Sequence, residues 1–232
     1  MRSTLFGENV ESTSADYFTL QNSKMLRVAL GGDVMARQGA MVAYQGRIDF
    51  DYQGTGGIGR FIKKALTGEG LPLMRCRGQG DLFLAHDADD VHLIYLDGDG
   101  LTVNGANILA FDPSISWDIR RVEGAGMMSG GLFNTVLTGT GWVAITAHGT
   151  PVVLETNEPT FADAQAAVAW STALRTRVHT SVKLGAMFGR TSGESIQMAF
   201  AGHGFVIVQA SEGPTVPPHS HGDSGGGGGL FG

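Results

Sequence analysis

Three stretches of the sequence contain a run of four apolar residues that ends in an aromatic residue. We call these runs the first, second and third apolar tetrads; they are MVAY at residues 41–44, ILAF at 108–111 and AVAW at 167–170. Each tetrad is followed by a glycine-rich stretch and then by a Gly-x-Gly sequence, which begins at Gly78, Gly139 and Gly202. The landmarks keep this order each time. The sequence therefore indicates three copies of one unit, which restricts the folds available to it.

Each unit has the pattern of short strands separated by turns. Residues 25–30 predict a strand, and residues 34–53 predict two strands that break near Gly39 or Gly46. Residues 47–52 alternate polar and apolar side chains, as in a half-buried strand. A unit of about 60 residues built from strands is too small to complete a core, so the units should pack on one another. The predicted fold class is all-β, with three tandem repeats related by pseudo-threefold symmetry and short helical or glycine-rich segments between the strands.

The repeats also predict the domain organisation. We expect one β domain at residues 25–212, made of units at about 25–90, 91–147 and 148–212. Residues 1–24 are expected to form a lead-in strand and loop, and the Pro-, His- and Gly-rich residues 213–232 a flexible tail. The first residues are polar and acidic, unlike a secretory signal. No apolar run approaches the roughly 18 residues that a membrane-spanning helix needs.

Composition excludes some classes of function. The formal net charge of −6 argues against a general nucleic-acid scaffold, which usually carries a net basic balance. The one cysteine, Cys76, excludes an intrachain disulfide. It lies between Arg75 and Arg77 in a predicted strand, where neighbouring side chains point to opposite faces. We therefore expect a buried structural thiol rather than a nucleophile activated by arginine.

Motifs for catalysis are weak. Residues 54–59 (GTGGIG) match the dinucleotide-binding pattern, but a chain with 36 glycines produces such a match by chance, and the expected alternation of strands and helices is missing. The seven histidines lack the spacing of a two-histidine, one-carboxylate site. There is no G-x-S-x-G sequence. We expect no catalytic, cofactor-binding or metal-binding residue, and the protein is predicted not to be an enzyme.

The strongest functional hint is a basic amphipathic segment after the first tetrad. Its apolar residues recur at helical spacing beside three cations, as in helices that lie on an anionic membrane or a partner. The equivalent segments of the other units contain methionines, which suit adaptable contacts. The candidate interaction surface consists of Ile58, Arg60, Phe61, Ile62, Lys63, Lys64, Leu66, Met127, Met128, Met187 and Phe188. The alternative is that these segments cap the open ends of the β domain.

Several motifs together resemble a known family. They are GAMVAYQGRIDF, LTGEG with RGQGDLFLA, VNGANILAFDPSISWDI and GTGWVAI, in a region from residue 25 to 211. In this region the chain is similar to the altered inheritance of mitochondria protein 24 family, whose bacterial members are a domain of unknown function. The resemblance implies a fold like that of the tryptophan RNA-binding attenuation protein, tripled in one chain. It implies no catalytic residues, and it links the mitochondrial members to inner-membrane organisation and respiratory-chain assembly.

The expected function is that of a non-enzymatic scaffold or interaction protein that associates with a membrane surface and self-assembles. A homo-oligomer and an unidentified protein partner are the expected partners, with no cofactor and no nucleic acid. The expected location is the cytoplasm, with peripheral association at the inner face of the membrane. Two alternatives stay open: a module that binds a small ligand or RNA, and a metal-dependent enzyme of the β-barrel type.

Overall fold

The computed structural model describes residues 3–52, 72–122, 133–179 and 197–211. Their regular secondary structure is almost entirely β-strand, which confirms the prediction of an all-β protein. The described part also contains the four-residue helix α1 (Leu5–Glu8) and a 3-10 turn at Gly105–Asn107. The helix α1 buries no side chain and was not predicted from the sequence.

The fifteen strands that the structure describes vary from four to fifteen residues in length. In chain order they are β1 (Phe18–Asn22), β2 (Met25–Leu30), β3 (Asp33–Arg37), β4 (Met41–Tyr52), β5 (Leu73–Leu84), β6 (Asp90–Asn104), β7 (Ile108–Phe111), β8 (Ser116–Arg121), β9 (Phe133–Ala147), β10 (Val152–Glu155), β11 (Thr160–Asp163), β12 (Ala167–Ser171), β13 (Arg175–His179), β14 (Gln197–Ala201) and β15 (Phe205–Val208). The predicted strand at residues 25–30 coincides with β2. The predicted break falls at Gly39, between β3 and β4, where φ is +81°.

The strands form two antiparallel sheets. The larger has the order β1-β2-β5-β3-β7-β9-β6-β12-β15-β10, and in addition β4 pairs with β5 and β8 with β9. The smaller has the order β11-β14-β13. Two long strands change neighbours midway. β5 pairs first with β3 and then with β2, and β9 pairs first with β8 and then with β7.

Two of the Gly-x-Gly sequences lie where β5 and β9 change neighbours, and the third lies between β14 and β15. Gly78 and Gly80 in β5 have φ near +140°, a conformation that residues with a side chain rarely adopt. A Cβ atom on Gly78 would lie 2.0 Å from the carbonyl oxygen of Arg47 in β4. Glycine is therefore required for β4 and β5 to approach each other closely at the corner.

Two pairings connect parts of the chain that are distant in sequence. In the first junction β3 pairs with β7, and Met35 lies opposite Phe111. In the second junction β6 pairs with β12, and Thr102 lies opposite Trp170. These pairings bury the outer edges of β7 and β12, which carry the second and third tetrads.

The core consists of three apolar clusters, one around β2 and β5, one around β7 and β9, and one around β12 and β14. The second and third tetrads are buried in them. The first tetrad is not buried in them. Met41, Val42 and Tyr44 are exposed because β5 is the one strand paired with β4 in the described part of the chain.

Candidate functional site

The outward face of the three-stranded sheet carries an unusual set of side chains. Alternation along the strands directs Ala162, Met198 and Phe200 into the third apolar cluster. The opposite face carries Phe161 and Arg177, which lie on either side of Ala199 in the strand register. We call this face the arginine face, defined by Phe161, Arg175, Arg177, His179, Ala199 and Ala201.

The arginine face forms the floor of an open cleft. The cleft has a volume of about 630 Å³ and extends from the loop at residues 156–159 to His203. The small side chains of Ala199 and Ala201 leave a shallow groove between Phe161 on one strand and the arginines on another. Such a groove admits a planar or extended group.

The positive charge of this face has no internal counterpart in the described residues. Arg175 and Arg177 are exposed, and neither makes an ion pair or a hydrogen bond there. On β5, by contrast, Arg75 pairs with Asp33, and Arg77 lies 3.3 Å from the carboxylate of Asp51. The arginines of β5 are thus neutralised by the protein, whereas those of β13 remain available to an anionic ligand.

An aromatic wall borders the groove. Phe161 is half exposed, and its ring lies 5.0 Å from the ring of His179, measured between centroids. The carboxylate of Glu158 also lies at the rim of the cleft. The arrangement can bind an anionic group at the arginines and an apolar or planar group at Phe161.

Cys76 has no catalytic environment. The residue is fully buried in the first cluster, and burial raises the pKa of its thiol to about 12. Its neighbours Arg75 and Arg77 point toward Asp33 and Asp51 on the other face. The expectation of a buried structural thiol is confirmed.

The histidines of the described ranges are dispersed. His86 and His148 lie beside Asp87 and Asp89, with nitrogen–oxygen distances of 3.6 and 2.5 Å. His92 has a buried, unpaired Nε2 atom, and burial lowers its pKa. Within residues 3–52, 72–122, 133–179 and 197–211, no three His, Cys, Asp or Glu side chains are grouped as metal ligands.

The candidate interaction surface predicted from the sequence shares no residue with the arginine face. All of its residues lie outside the described ranges, namely Ile58, Arg60, Phe61, Ile62, Lys63, Lys64, Leu66, Met127, Met128, Met187 and Phe188. The glycine motif at residues 54–59 and the tail from residue 213 lie outside them too. The arginine face was missed, although the alternation in RTRVH at residues 175–179 predicts a strand with both arginines on one side.

The described residues form an antiparallel all-β fold, and the sequence matches a known protein family. The family model described as mitochondrial biogenesis AIM24 matches residues 18–211, and the chain belongs to this family. No curated protein matches the chain.

A solved structure has a similar fold. It is protein SPYM3_0169 from Streptococcus pyogenes, which superimposes with a TM-score of 0.67 at 22% sequence identity. The similarity covers 84% of this chain and 92% of that one. At this identity it shows the fold alone. No helix in the described ranges has the length and apolar character needed to cross a bilayer.

Proposed function

We propose that the protein is a non-catalytic scaffold that binds an anionic membrane surface through the arginine face. The observation that carries this proposal is the pair Arg175 and Arg177, exposed on one strand face without an acidic partner in the described residues. Five cations of the described residues form ion pairs with carboxylates, namely Lys24, Arg27, Arg75, Arg77 and Arg120, whereas Arg175 and Arg177 form none there.

The chemistry of the face suits phospholipid head groups. A guanidinium group donates two parallel hydrogen bonds to a phosphate, and each cation near an anionic bilayer contributes about 1 kcal/mol. The basic segment at residues 58–66 would add to the same attraction. The expected location is therefore the cytoplasm, with peripheral association at the inner face of the membrane.

The scaffold itself is proposed to consist of three tandem repeats of a unit that folds like the tryptophan RNA-binding attenuation protein. The pairing scheme supports this, because each tetrad lies opposite the strand segment that follows a Gly-x-Gly sequence. The first tetrad lies on β4 opposite β5, the second on β7 opposite β9, and the third on β12 opposite β15. The repeats are proposed to span about 25–90, 91–147 and 148–212, and the assembled protein to be a homo-oligomer.

Co-sedimentation with vesicles tests the membrane proposal. We expect the full chain to sediment with vesicles of phosphatidylcholine and phosphatidylserine at low salt and to stay in solution with phosphatidylcholine alone. The double variant Arg175→Gln/Arg177→Gln should lose at least about tenfold in affinity, since two cations are removed. The matched control Arg47→Gln/Arg120→Gln removes two exposed arginines elsewhere. Equal losses in both double variants, or binding that ignores lipid charge, would contradict the proposal.

A small anionic ligand is the second candidate, favoured by the volume of the cleft. About 630 Å³ lies within the range of small-molecule sites. Native mass spectrometry of the protein purified from its own cells would show a retained mass that disappears in Arg175→Gln/Arg177→Gln. A protein without added mass that also ignores carboxylate and phosphate compounds in a thermal-shift screen would exclude this candidate.

A further inference from the structure

In the part of the chain that the structure describes, the strand edge beside the first tetrad lacks a neighbour. Tyr44 is 47% exposed and Val42 51%. The corresponding edges of β7 and β12 are covered, and Phe111 and Trp170 at the ends of their tetrads are at most 2% exposed. The difference arises because β3 pairs along β7 and β6 along β12, whereas no described strand pairs along the outer edge of β4.

β11 also has one unpaired edge in the described part of the chain. In the described residues it pairs with β14 on one edge and with nothing on the other. Phe161 on this strand is 50% exposed. Met35 in β3 and Thr102 in β6, which lie at the two junctions, are 6% and 7% exposed.

The register shows that these three residues occupy equivalent positions. Met35 lies opposite Arg75, Thr102 opposite Val136, and Phe161 opposite Ala199. Arg75, Val136 and Ala199 each stand three residues before the first glycine of a Gly-x-Gly sequence. Since Met35 and Thr102 pair with the aromatic residues that end the second and third tetrads, the matching partner of Phe161 is Tyr44.

We propose that a second copy of this chain supplies the missing strand, so that β11 of one copy pairs antiparallel with β4 of the next, Phe161 opposite Tyr44. The inference rests on the three-repeat, self-assembling scaffold proposed above. No described strand covers the outer edge of β4 or of β11, and a head-to-tail contact uses both edges.

The side chains fit this register. Beside the aromatic pair, Ala43 would lie opposite Ala162 on the other face of the sheet. The first junction has the same arrangement, with Ala36 opposite Ala110. Small residues at this position let the two sheets pack closely against the core.

The aromatic pair would also cover exposed apolar surface. Tyr44 already packs edge-to-face on Phe50, with ring centroids 5.4 Å apart, at the margin of the first cluster. Phe161 of the second copy would extend this aromatic group. Arg177 lies on β13, two strands away from β11, so the new strand leaves the arginines open.

Disulfide trapping tests the pairing. Residues directly opposite in an antiparallel pair have Cα atoms about 4.5 to 5.5 Å apart, which a disulfide can bridge. Full-length Tyr44→Cys mixed with full-length Phe161→Cys should give, on mild oxidation, a linked product of twice 24.4 kDa. A mixture of Tyr95→Cys with Phe161→Cys is the matched control, since Tyr95 is 51% exposed on another strand, and it should stay unlinked. An unlinked first mixture, or a link formed within one chain of the double variant Tyr44→Cys/Phe161→Cys, would overturn the proposal.

The assembly can also be measured directly. Light scattering should give the wild-type chain a mass of at least twice 24.4 kDa, and Tyr44→Lys the mass of one chain. Tyr95→Lys should keep the wild-type mass. A wild-type protein of 24.4 kDa at cellular concentration would be evidence against the second copy. The membrane proposal fails separately. A loss of vesicle binding in the Arg175→Gln/Arg177→Gln variant, with disulfide trapping unchanged, concerns the membrane function alone.

Discussion

At the scale of single residues, backbone geometry and burial decide the roles of the glycines and of the one cysteine. Gly78 permits a close approach of two strands that any Cβ atom would prevent. Cys76, surrounded by apolar side chains, behaves as a small core residue. Both were recognised in the sequence, Gly78 by its place in a recurring landmark and Cys76 by its position between outward-pointing arginines. Local spacing was sufficient in both cases because strand geometry alternates side chains strictly.

We expect Gly78→Ala to destabilise the protein by about 2 kcal/mol or more, because the new Cβ atom meets a carbonyl oxygen and the positive φ is strained. Urea unfolding followed by tryptophan fluorescence measures the change in free energy. Gly31→Ala, where a Cβ atom has open space, is the control and should change the midpoint little. Equal effects of the two substitutions would show that the corner at Gly78 is not close-packed.

The pKa of Cys76 predicts a loss of stability in alkali. Burial raises the thiol pKa from 9.0 to about 12 in the folded state, so the unfolded chain loses its proton first as the pH rises. The stabilisation is complete below pH 9.0 and is lost progressively as the pH rises from 9.0 to about 12.

Urea unfolding at pH 8.5 and pH 10 checks this prediction. Burial also raises the pKa of Tyr17, so the wild type must be compared with Cys76→Ala, which keeps the tyrosine. We expect the wild type to lose more stability than the variant over this interval. Parallel losses would show that the thiol is ionised equally in the folded and unfolded chain.

At the scale of elements, the strands follow from alternation and from turn residues, but their edges differ in ways that local pattern does not reveal. The strand β2 is covered by β1, whereas β10 ends the large sheet with β15 as its one described neighbour. Val152, Val153 and Leu154 of β10 are all exposed. An apolar edge strand of this kind is prone to pair with other chains.

We expect Val153→Lys to reduce aggregation at high protein concentration, because a lysine on an edge strand opposes further pairing. The thermal midpoint should stay close to that of the wild type, since the side chain is exposed and contributes less than about 0.5 kcal/mol. Turbidity during storage and a thermal melt provide the two measurements. Ile207→Lys, in the neighbouring strand and buried, should instead lower the midpoint strongly. Unchanged turbidity in Val153→Lys would exclude β10 as the aggregating edge.

At the scale of the whole molecule, the three clusters are joined by two strand junctions, and the β4 and β11 edges, which no described strand covers, carry the aromatic residues Tyr44 and Phe161. The proposed head-to-tail contact repeats a pairing that the chain already makes twice. The arginine face lies on the same small sheet as one of these edges, so assembly would place several such faces in one particle. Multiple weak contacts with a membrane would then act together.

The sequence by itself determined the all-β class, the order of the three landmarks, the strand at β2 and the burial of Cys76, because each depends on spacing along one segment. Only the tertiary structure decided that the first tetrad is exposed while the other two are buried, since exposure depends on which distant strand lies alongside. It also brought Phe161 beside Arg177 through Ala199, residues from three strands. The ion pair of Arg77 with Asp51 depends on the same long-range register, as does the lack of a described acidic partner at Arg177. Periodicity predicts which face a side chain occupies, but not what that face meets.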